Sequence, residues 1–565
     1  MNGTPRDNSV FVHSSGSGSV TLNHAVQAHA LGEIQTAFDG YEKVLTADPD
    51  CALALVGMSR IFHDNNRADM VGGLRARALA SPALDGLSAI ALARDFAAEG
   101  EGAKALDAVR IATKRGPNSA VAQSILGCLS FATGLVYEAH RAYVAAVRLA
   151  PNNVQYLDEL ANQCLSEHFF ALTGIKAVQA AMAKADSTVD RRRLLGRLYC
   201  CDQNFTAAAE VLGALHSEGA LDAELLVQLA VAYRHIDDVA GIQRVAADLG
   251  AARAAQQSND SQAGERLAAY EARVLLLQGD IAAARSLFRA VAATTQLDFS
   301  DPAYLPKTPQ RLERLRSLVG GRDVAILAHG PSIAELESHT AQIASSDLCY
   351  FGLNRFQITE RHLLEPAGRQ LDLVAVTPPQ LMNDIAPHIT EFLTRPDANV
   401  LVSLRSSLDA LPGGGAARES LEARYDDKLL YVDSRHPGGA SPRFPLHFIP
   451  ANTLTILLGL AVLGGAKRIF VFGADGAVAH ELPENSHYKK GSAGFVFDLP
   501  DGFDAHYPAA IAADTEQFND VWEANLHALC ALYDLPLPPM FNVNPASAVA
   551  VAPRISYKQA FHLLA

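Results

Sequence analysis

The chain is short of the features that mark several broad protein classes. It has seven cysteines in 565 residues, an odd number with no C-x-x-C pair. That pattern fits neither a disulfide framework nor a zinc ribbon, and the adjacent Cys200 and Cys201 read as packing residues. Basic residues are outnumbered, 47 Lys and Arg against 61 Asp and Glu, for a net charge of −14. A general nucleic-acid binder is therefore not expected. The longest apolar run, Leu454 to Gly464, is too short to span a bilayer, so no membrane insertion is expected. The first twenty residues lack the basic start and apolar stretch of a secretory signal, and a soluble cytoplasmic protein is the expectation. Disorder is excluded by composition, since 49% of residues are hydrophobic and only 19% charged.

The chain instead contains two regions of different texture. From residue 19 to about 297 alanine is abundant and β-branched runs are scarce, which favours helix. Pro49, Pro82, Pro117 and Pro151 follow one another at intervals of 33, 35 and 34. Three of them close the same pattern: Ala37, Tyr41, Val44; Ala105, Val109, Ala112; Ala139, Tyr143, Ala146. This i, i+4, i+7 spacing puts each trio on one helical face, and the proline ends the helix. In the second unit Met70, Leu74 and Arg77 take the matching places. Gly32 and Gly127 are expected where paired helices approach closely. Later units keep Gly196, Ala208 and Leu212, and then Gly279, Ala284, Phe288 and Val291. Residues 247–265 read as a longer helix or a looser connection. Period and pattern resemble tetratricopeptide (TPR) repeats, helix–turn–helix units of 34 residues. Such an array is either a scaffold or a groove that grips a partner.

After residue 298 the texture changes. A proline-punctuated linker (298–321) leads into residues 322–565, where short apolar runs alternate with helical patterns. Strands are expected at Asp323–Ala328, Asp347–Phe351, Leu371–Val376, Asn399–Leu404, Leu429–Val432 and Ile469–Phe472. Helices are expected at Ile333–Ala344, Thr453–Leu463 and Thr515–Leu532. The whole reads as a flexible start (1–18), a TPR-like solenoid (19–297) and a doubly wound, Rossmann-like α/β domain, in which ligands sit at the carboxyl ends of the strands.

Four stretches fall at such ends. Ala328-His329-Gly330-Pro331-Ser332 is a strand-to-helix turn that would suit a phosphate, or equally a capped turn. In Gly352-Leu353-Asn354-Arg355-Phe356, Asn354 is either a ligand amide or a turn residue. Pro450-Ala451-Asn452-Thr453 opens an apolar helix that leads to Gly473-Ala474-Asp475-Gly476, where Asp475 either holds a sugar or braces the loop. Glu484-Asn485-Ser486-His487-Tyr488-Lys489-Lys490 offers an imidazole that can take a proton near neutral pH, beside two cations.

In this order the four stretches resemble the bacterial sialyltransferases that use CMP-sialic acid. They also resemble the related central domain of motility-associated factor proteins, which glycosylate flagellin with nonulosonates. The resemblance covers roughly residues 322–545 and implies an inverting, metal-independent protein O-glycosyltransferase with a sialyltransferase-type fold. It needs no cofactor beyond its CMP-activated sugar. On that resemblance Gly330, Pro331 and Ser332 form the nucleotide-phosphate loop, Asn354 contacts the donor, and Asn452 and Thr453 approach cytidine or phosphate. Asp475 holds the donor region, with His329, Gly473, Ser486, Tyr488 and Lys489 completing the donor-binding set, and His487 is the general base. The acceptor, flagellin, is held by the TPR groove. The chain departs from the sialyltransferase pattern at His329, where an amide is usual, and at Ala477, where they place a tyrosine. Tyr488, Lys489 or Lys490 stands in for that tyrosine. Two alternatives share the skeleton: an ATP-dependent, pterin diphosphokinase-like enzyme and a non-catalytic TPR adaptor.

Overall fold

A computed structural model describes residues 17–166, 170–256, 261–293, 296–396, 399–434, 438–450, 452–476, 507–551 and 553–565. The chain divides into two compact units between Gln163 and Cys164.

The first unit is built from α1 (Ser17–Ala30), α2 (Ile34–Ala47), α3 (Ala52–Asp64), α4 (Ala68–Ala80), α5 (Gly86–Ala98), α6 (Gly102–Arg115), α7 (Ala120–Ala132), α8 (Val136–Leu149) and α9 (Val154–Gln163). Its buried positions repeat every 34 residues in four columns. On the first helices of the hairpins the column is Ala25, Ser59, Ala93 and Gly127. On the second helices the columns are Ala37, Val71, Ala105, Ala139; Tyr41, Arg75, Val109, Tyr143; and Val44, Ala78, Ala112, Ala146. In the last of these hairpins the small member, Gly127, faces the large one, Tyr143, so that the two helices pack closely.

Two sequence expectations need correcting. The buried face of α4 is Val71, Arg75 and Ala78, one residue later than Met70, Leu74 and Arg77, and Met70 is 42% exposed. Pro82 misled the alignment because it stands one position before the 34-residue register, which Ala83 occupies. Gly32 is not a helix-contact glycine: it lies in the α1–α2 turn at φ +80°, with nothing within 4 Å of an added Cβ. Gly127 does fill the contact role, since a Cβ there would come 2.9 Å from the Tyr143 ring. Arg75, only 3% exposed, takes the place of an aromatic residue. It pairs with Glu99 at 2.5 Å, and its guanidinium carbon lies 5.8 Å from the centre of the Phe96 ring.

The second unit continues the repeats through α10 (Ala171–Lys184), α11 (Val189–Cys201), α12 (Phe205–Ser217), α13 (Ala223–His235), α14 (Val239–Gln256), α15 (Ser261–Leu277) and α16 (Ile281–Ala292). Gly174, Val178 and Ala181 recur 34 residues on as Ala208, Leu212 and Leu215. A Cβ on Gly196 would lie 2.4 Å from Leu212. After the helix Thr308–Val319 comes a seven-stranded, wholly parallel sheet: β1 (Asp323–Leu327), β2 (Leu348–Leu353), β3 (Leu373–Val376), β4 (Val400–Leu404), β5 (Leu429–Val432), β6 (Ile469–Phe472) and β7 (Met540–Asn542). The strand order is β5-β4-β3-β2-β1-β6-β7. Six strands match expectation; β7, three residues long, was not foreseen. The expected helix Ile333–Ala344 is instead a 3-10 segment, Pro331–His339, followed by the helix Thr340–Ser345.

Alternate residues of each strand feed two separate cores. On β1, Val324 and Ile326 join one, while Ala325 and Leu327 join the other. Both faces are covered, which is why the strands read as unbroken apolar runs. The first core also takes in Ala284 and Phe288 of α16 and Phe518, Trp522 and Leu526 of the helix Tyr507–Leu532. The last repeat hairpin thus shares one interior with the sheet. No helix among the described residues is long and apolar enough to cross a membrane.

Gly127→Val drives methyl groups into Tyr143 and should cost about 1–3 kcal/mol. Gly32→Ala should cost a comparable ~1–2 kcal/mol by backbone strain alone. Hydrogen exchange on the full chain separates them, with lost protection centred on α7–α8 for the first and on the α1–α2 turn for the second. At the α16 junction Arg285 donates from Nε to His527 Nδ1 at 3.3 Å. Burial, and then the Arg285 charge, lowers the His527 pKa to about 4. The unfolded chain therefore takes up this proton first, so stability should be lost as pH falls from the ordinary histidine range toward 4. His527→Gln should flatten that loss in acid melting curves.

Candidate functional site

The strand order fixes where a site can form. From β1 the chain moves out through β2 to β5, then returns to lay β6 along the other side of β1. The segments leaving β1 and β6 diverge, and the crevice they leave lies at the carboxyl ends of the two strands.

The two exits are tied together by backbone. Ala328 donates its N–H to Phe472 O at 2.9 Å, and Gly330 donates to Gly473 O at 2.6 Å. A Cβ on Gly330 would fall 2.4 Å from Gly473 O and 2.5 Å from Asp475 Oδ2. Gly473 sits at φ +67°, with Ala328 O 2.8 Å from where its Cβ would be. Both positions therefore demand glycine. Gly330 caps the 3-10 segment and Pro331 opens it, where a missing N–H is harmless.

This approach carries Asp475 onto Ser332. Oδ2 accepts from the Ser332 N–H at 2.8 Å, while Oδ1 accepts from the Ser332 hydroxyl and from Asn544 Nδ2, the latter at 2.7 Å. The carboxylate occupies the place an anion would take at this turn. Of the two roles open to Asp475, bracing the loop is the one this geometry displays. Tyr557 donates its hydroxyl to Ser332 O at 2.8 Å and closes the turn from the C-terminal helix.

A second cluster stands at the ends of β2 and β3. Asn354 sits at φ +48° and donates its N–H to Ala375 O at 2.7 Å. Thr453 donates to Asn354 Oδ1 at 3.3 Å and shares a 2.7 Å hydrogen bond with Thr377. Thr453 is the first residue of an eleven-residue helix whose residues are all buried. Asn452 caps it, accepting from the Thr455 N–H at 3.3 Å, and is itself exposed. His329 links the clusters, with Nε2 2.9 Å from Leu353 O and Nδ1 3.0 Å from Glu360 Oε2. Both ring nitrogens thus face oxygens of the fold. The ring is spent inside the fold.

The structure therefore gathers His329, Gly330, Pro331, Ser332, Asn354, Asn452, Thr453, Gly473 and Asp475 along one sheet edge. Ser486, His487, Tyr488 and Lys489 lie outside the described residues, as do Ala477 and Lys490. The described chain stops at Gly476 and resumes at Tyr507. Sequence reasoning missed Glu360, Thr377, Asn544 and Tyr557. Only Asn544 carried a local signal, an Asn-Pro turn. Among the described residues no group of three or more His, Cys, Asp or Glu could hold a metal ion.

The chain is a TPR-like helical solenoid followed by a C-terminal region holding a parallel seven-stranded sheet. No protein-family model matches it, and no curated protein does. Solved structures similar to it include MamA (17% identity, TM-score 0.25, covering 30% of this chain and 91% of that one). Pseudomonas aeruginosa PilF is similar at 16% identity and TM-score 0.28, over 35% of this chain and 90% of that one. YrrB, a TPR protein with an unusual peptide-binding site, is similar at 16% identity and TM-score 0.26, over 30% of this chain and 88% of that one. Scores this low carry no argument, and the repeat character rests on the 34-residue columns.

Gly330→Ala tests the knot. Its Cβ meets a backbone oxygen that cannot swing aside, so β1 and β6 must part at their ends. A loss of about 1–3 kcal/mol is expected, read as a lower melting temperature, and hydrogen exchange should rise at the Ser332 amide.

Proposed function

We propose that this protein is an inverting O-glycosyltransferase, moving a nonulosonic acid from its CMP derivative to Ser or Thr hydroxyls of an acceptor protein, with flagellin as the expected acceptor. The repeats recruit the acceptor. The observation that carries the reading is the meeting of three separated stretches, 328–332, 354 and 452–475, at the one switch point of a parallel sheet. An anionic nucleotide leaving group needs fixed donors there, and an acceptor hydroxyl needs a base. In this reading the phosphate sits at the N-terminus of the helix Thr453–Leu463, beside Asn354 and the exposed Asn452, because Asp475 already fills the Ser332 turn. His487 serves as the base.

One observation favours a second reading. Ser332 has both its donors committed to Asp475, a turn closed by the protein's own carboxylate, which suits a non-catalytic adaptor.

The experiment is intact-mass analysis of flagellin coexpressed with this chain and a nonulosonate pathway. Addition of one or more nonulosonate masses is expected, and His487→Ala should abolish it while leaving flagellin binding in place. Unmodified flagellin, together with no melting shift from CMP, would leave the adaptor. A shift from ATP and magnesium, but not from CMP alone, would point to the diphosphokinase-like chemistry.

A further inference from the structure

Three donors clamp the exit of β3. Asn354 gives its N–H to Ala375 O at 2.7 Å, Ser403 its hydroxyl to Val376 O at 2.6 Å, and Ser407 its hydroxyl to Thr377 O. Both serines are buried, and the proline that follows Thr377 disfavours helical backbone there. So held, Thr377 sets its own hydroxyl 2.7 Å from that of Thr453, whose oxygen lies 3.3 Å from Asn354 Oδ1. Side chains from the end of β3, the start of the helix Thr453–Leu463 and the end of β2 thus form one hydrogen-bonded chain.

The chain has a direction. A hydroxyl carries a single hydrogen. That of Thr453 goes to Asn354 Oδ1, so Thr377 is the donor of the 2.7 Å bond. The opposite sense would leave the Thr377 hydrogen with no acceptor among the described residues. Thr453 is only 5% exposed and gives and receives one bond, so its hydroxyl is used up within the fold. Asn354 is half-buried, and its oxygen is likewise spent on Thr453. Its Nδ2 has no partner among the described residues. At this point the crevice therefore offers N–H donors and no acceptor. The ligand atom that answers is an oxygen with lone pairs, and an anionic oxygen makes the stronger bond. An ammonium group finds nothing to bind there.

We propose that Thr377 is a positioning residue: its hydroxyl heads a relay, through Thr453, that locks the Asn354 amide with its N–H donors toward the crevice, so that this edge selects an oxyanion. That the oxyanion is the phosphate of a CMP-activated donor rests on the transferase reading; the relay and its preference for an oxyanion do not. The test measures binding of CMP, of ATP with magnesium and of inorganic phosphate to the full-length protein by titration calorimetry. Thr377→Val keeps the bulk and removes the hydroxyl, and it should weaken CMP binding at least about tenfold, equivalent to 1.4 kcal/mol. Thr377→Ser loses bulk but keeps the donor, and it should bind within about twofold of the unaltered protein, the reverse of what a packing role would give. Asn354→Gly suits the positive φ and removes the amide, whereas Asn354→Asp still accepts from Thr453 but turns a carboxylate oxygen outward. Asn354→Asp should therefore bind CMP more weakly than Asn354→Gly. If Thr377→Val does not fold, as judged by circular dichroism, Thr377→Ser and the two Asn354 variants carry the comparison. Binding unchanged in Thr377→Val, equal losses in Thr377→Val and Thr377→Ser, Asn354→Asp binding as well as Asn354→Gly, or no binding of any of the three ligands would overturn the proposal. Binding of phosphate or ATP but not CMP, lost in Thr377→Val and kept in Thr377→Ser, would keep the relay and remove the transferase reading.

Discussion

One close approach, Gly330 against Gly473, organises the C-terminal region. With no side chain on either residue, the segments leaving β1 and β6 come within a 2.6 Å hydrogen bond, where a single methyl group would stand 2.4 Å from a carbonyl oxygen. The Ser332 turn and what meets it are placed by that contact. It sets Asp475 over the Ser332 amide, brings Asn544 to the same carboxylate, and gives Tyr557 a fixed carbonyl to bind. The strand order supplies the reason the contact matters. Only between β1 and β6 do the connections run to opposite sides, so only there does the sheet edge open into a crevice.

The second constraint is a shared interior. Ala284 and Phe288 of the last repeat hairpin lie in the same apolar core as β1, β6 and the helix Thr453–Leu463. Moving that hairpin would expose the faces of both. The helices α15 and α16 are therefore part of the sheet domain's interior and not a tethered module.

How far all this was legible in the sequence depends on whether a feature is local. The 34-residue columns are local and periodic, so they are readable from the sequence itself. Single punctuation residues are a poorer guide. Pro82 is displaced by one from the register, and Gly32 turns the chain without touching a second helix. Six strands showed as apolar runs because both faces are buried, whereas β7 gives three residues and no pattern. At the site, strand-end residues such as Asn354 and Asp475 announced themselves by position. Glu360, Thr377 and Tyr557 did not, because each reaches its partner across the fold and nothing in its own neighbourhood marks it.

Electrostatics at the crevice decides where an anion can go. At about 4 Å two unit charges of like sign repel by roughly 4 kcal/mol at an effective dielectric of 20, more than a well-made hydrogen bond returns. A phosphate approaching Ser332 would meet the Asp475 carboxylate, which already holds the serine's N–H and hydroxyl. The N-terminus of the helix Thr453–Leu463 is capped instead by a neutral side chain, the exposed Asn452, and offers the partial positive end of an eleven-residue helix. On the transferase reading proposed above, the glycine–proline turn braces the crevice and the Thr453 helix is its anion end. That division of labour explains why Asp475 can sit at the centre of a site proposed to bind a negatively charged donor.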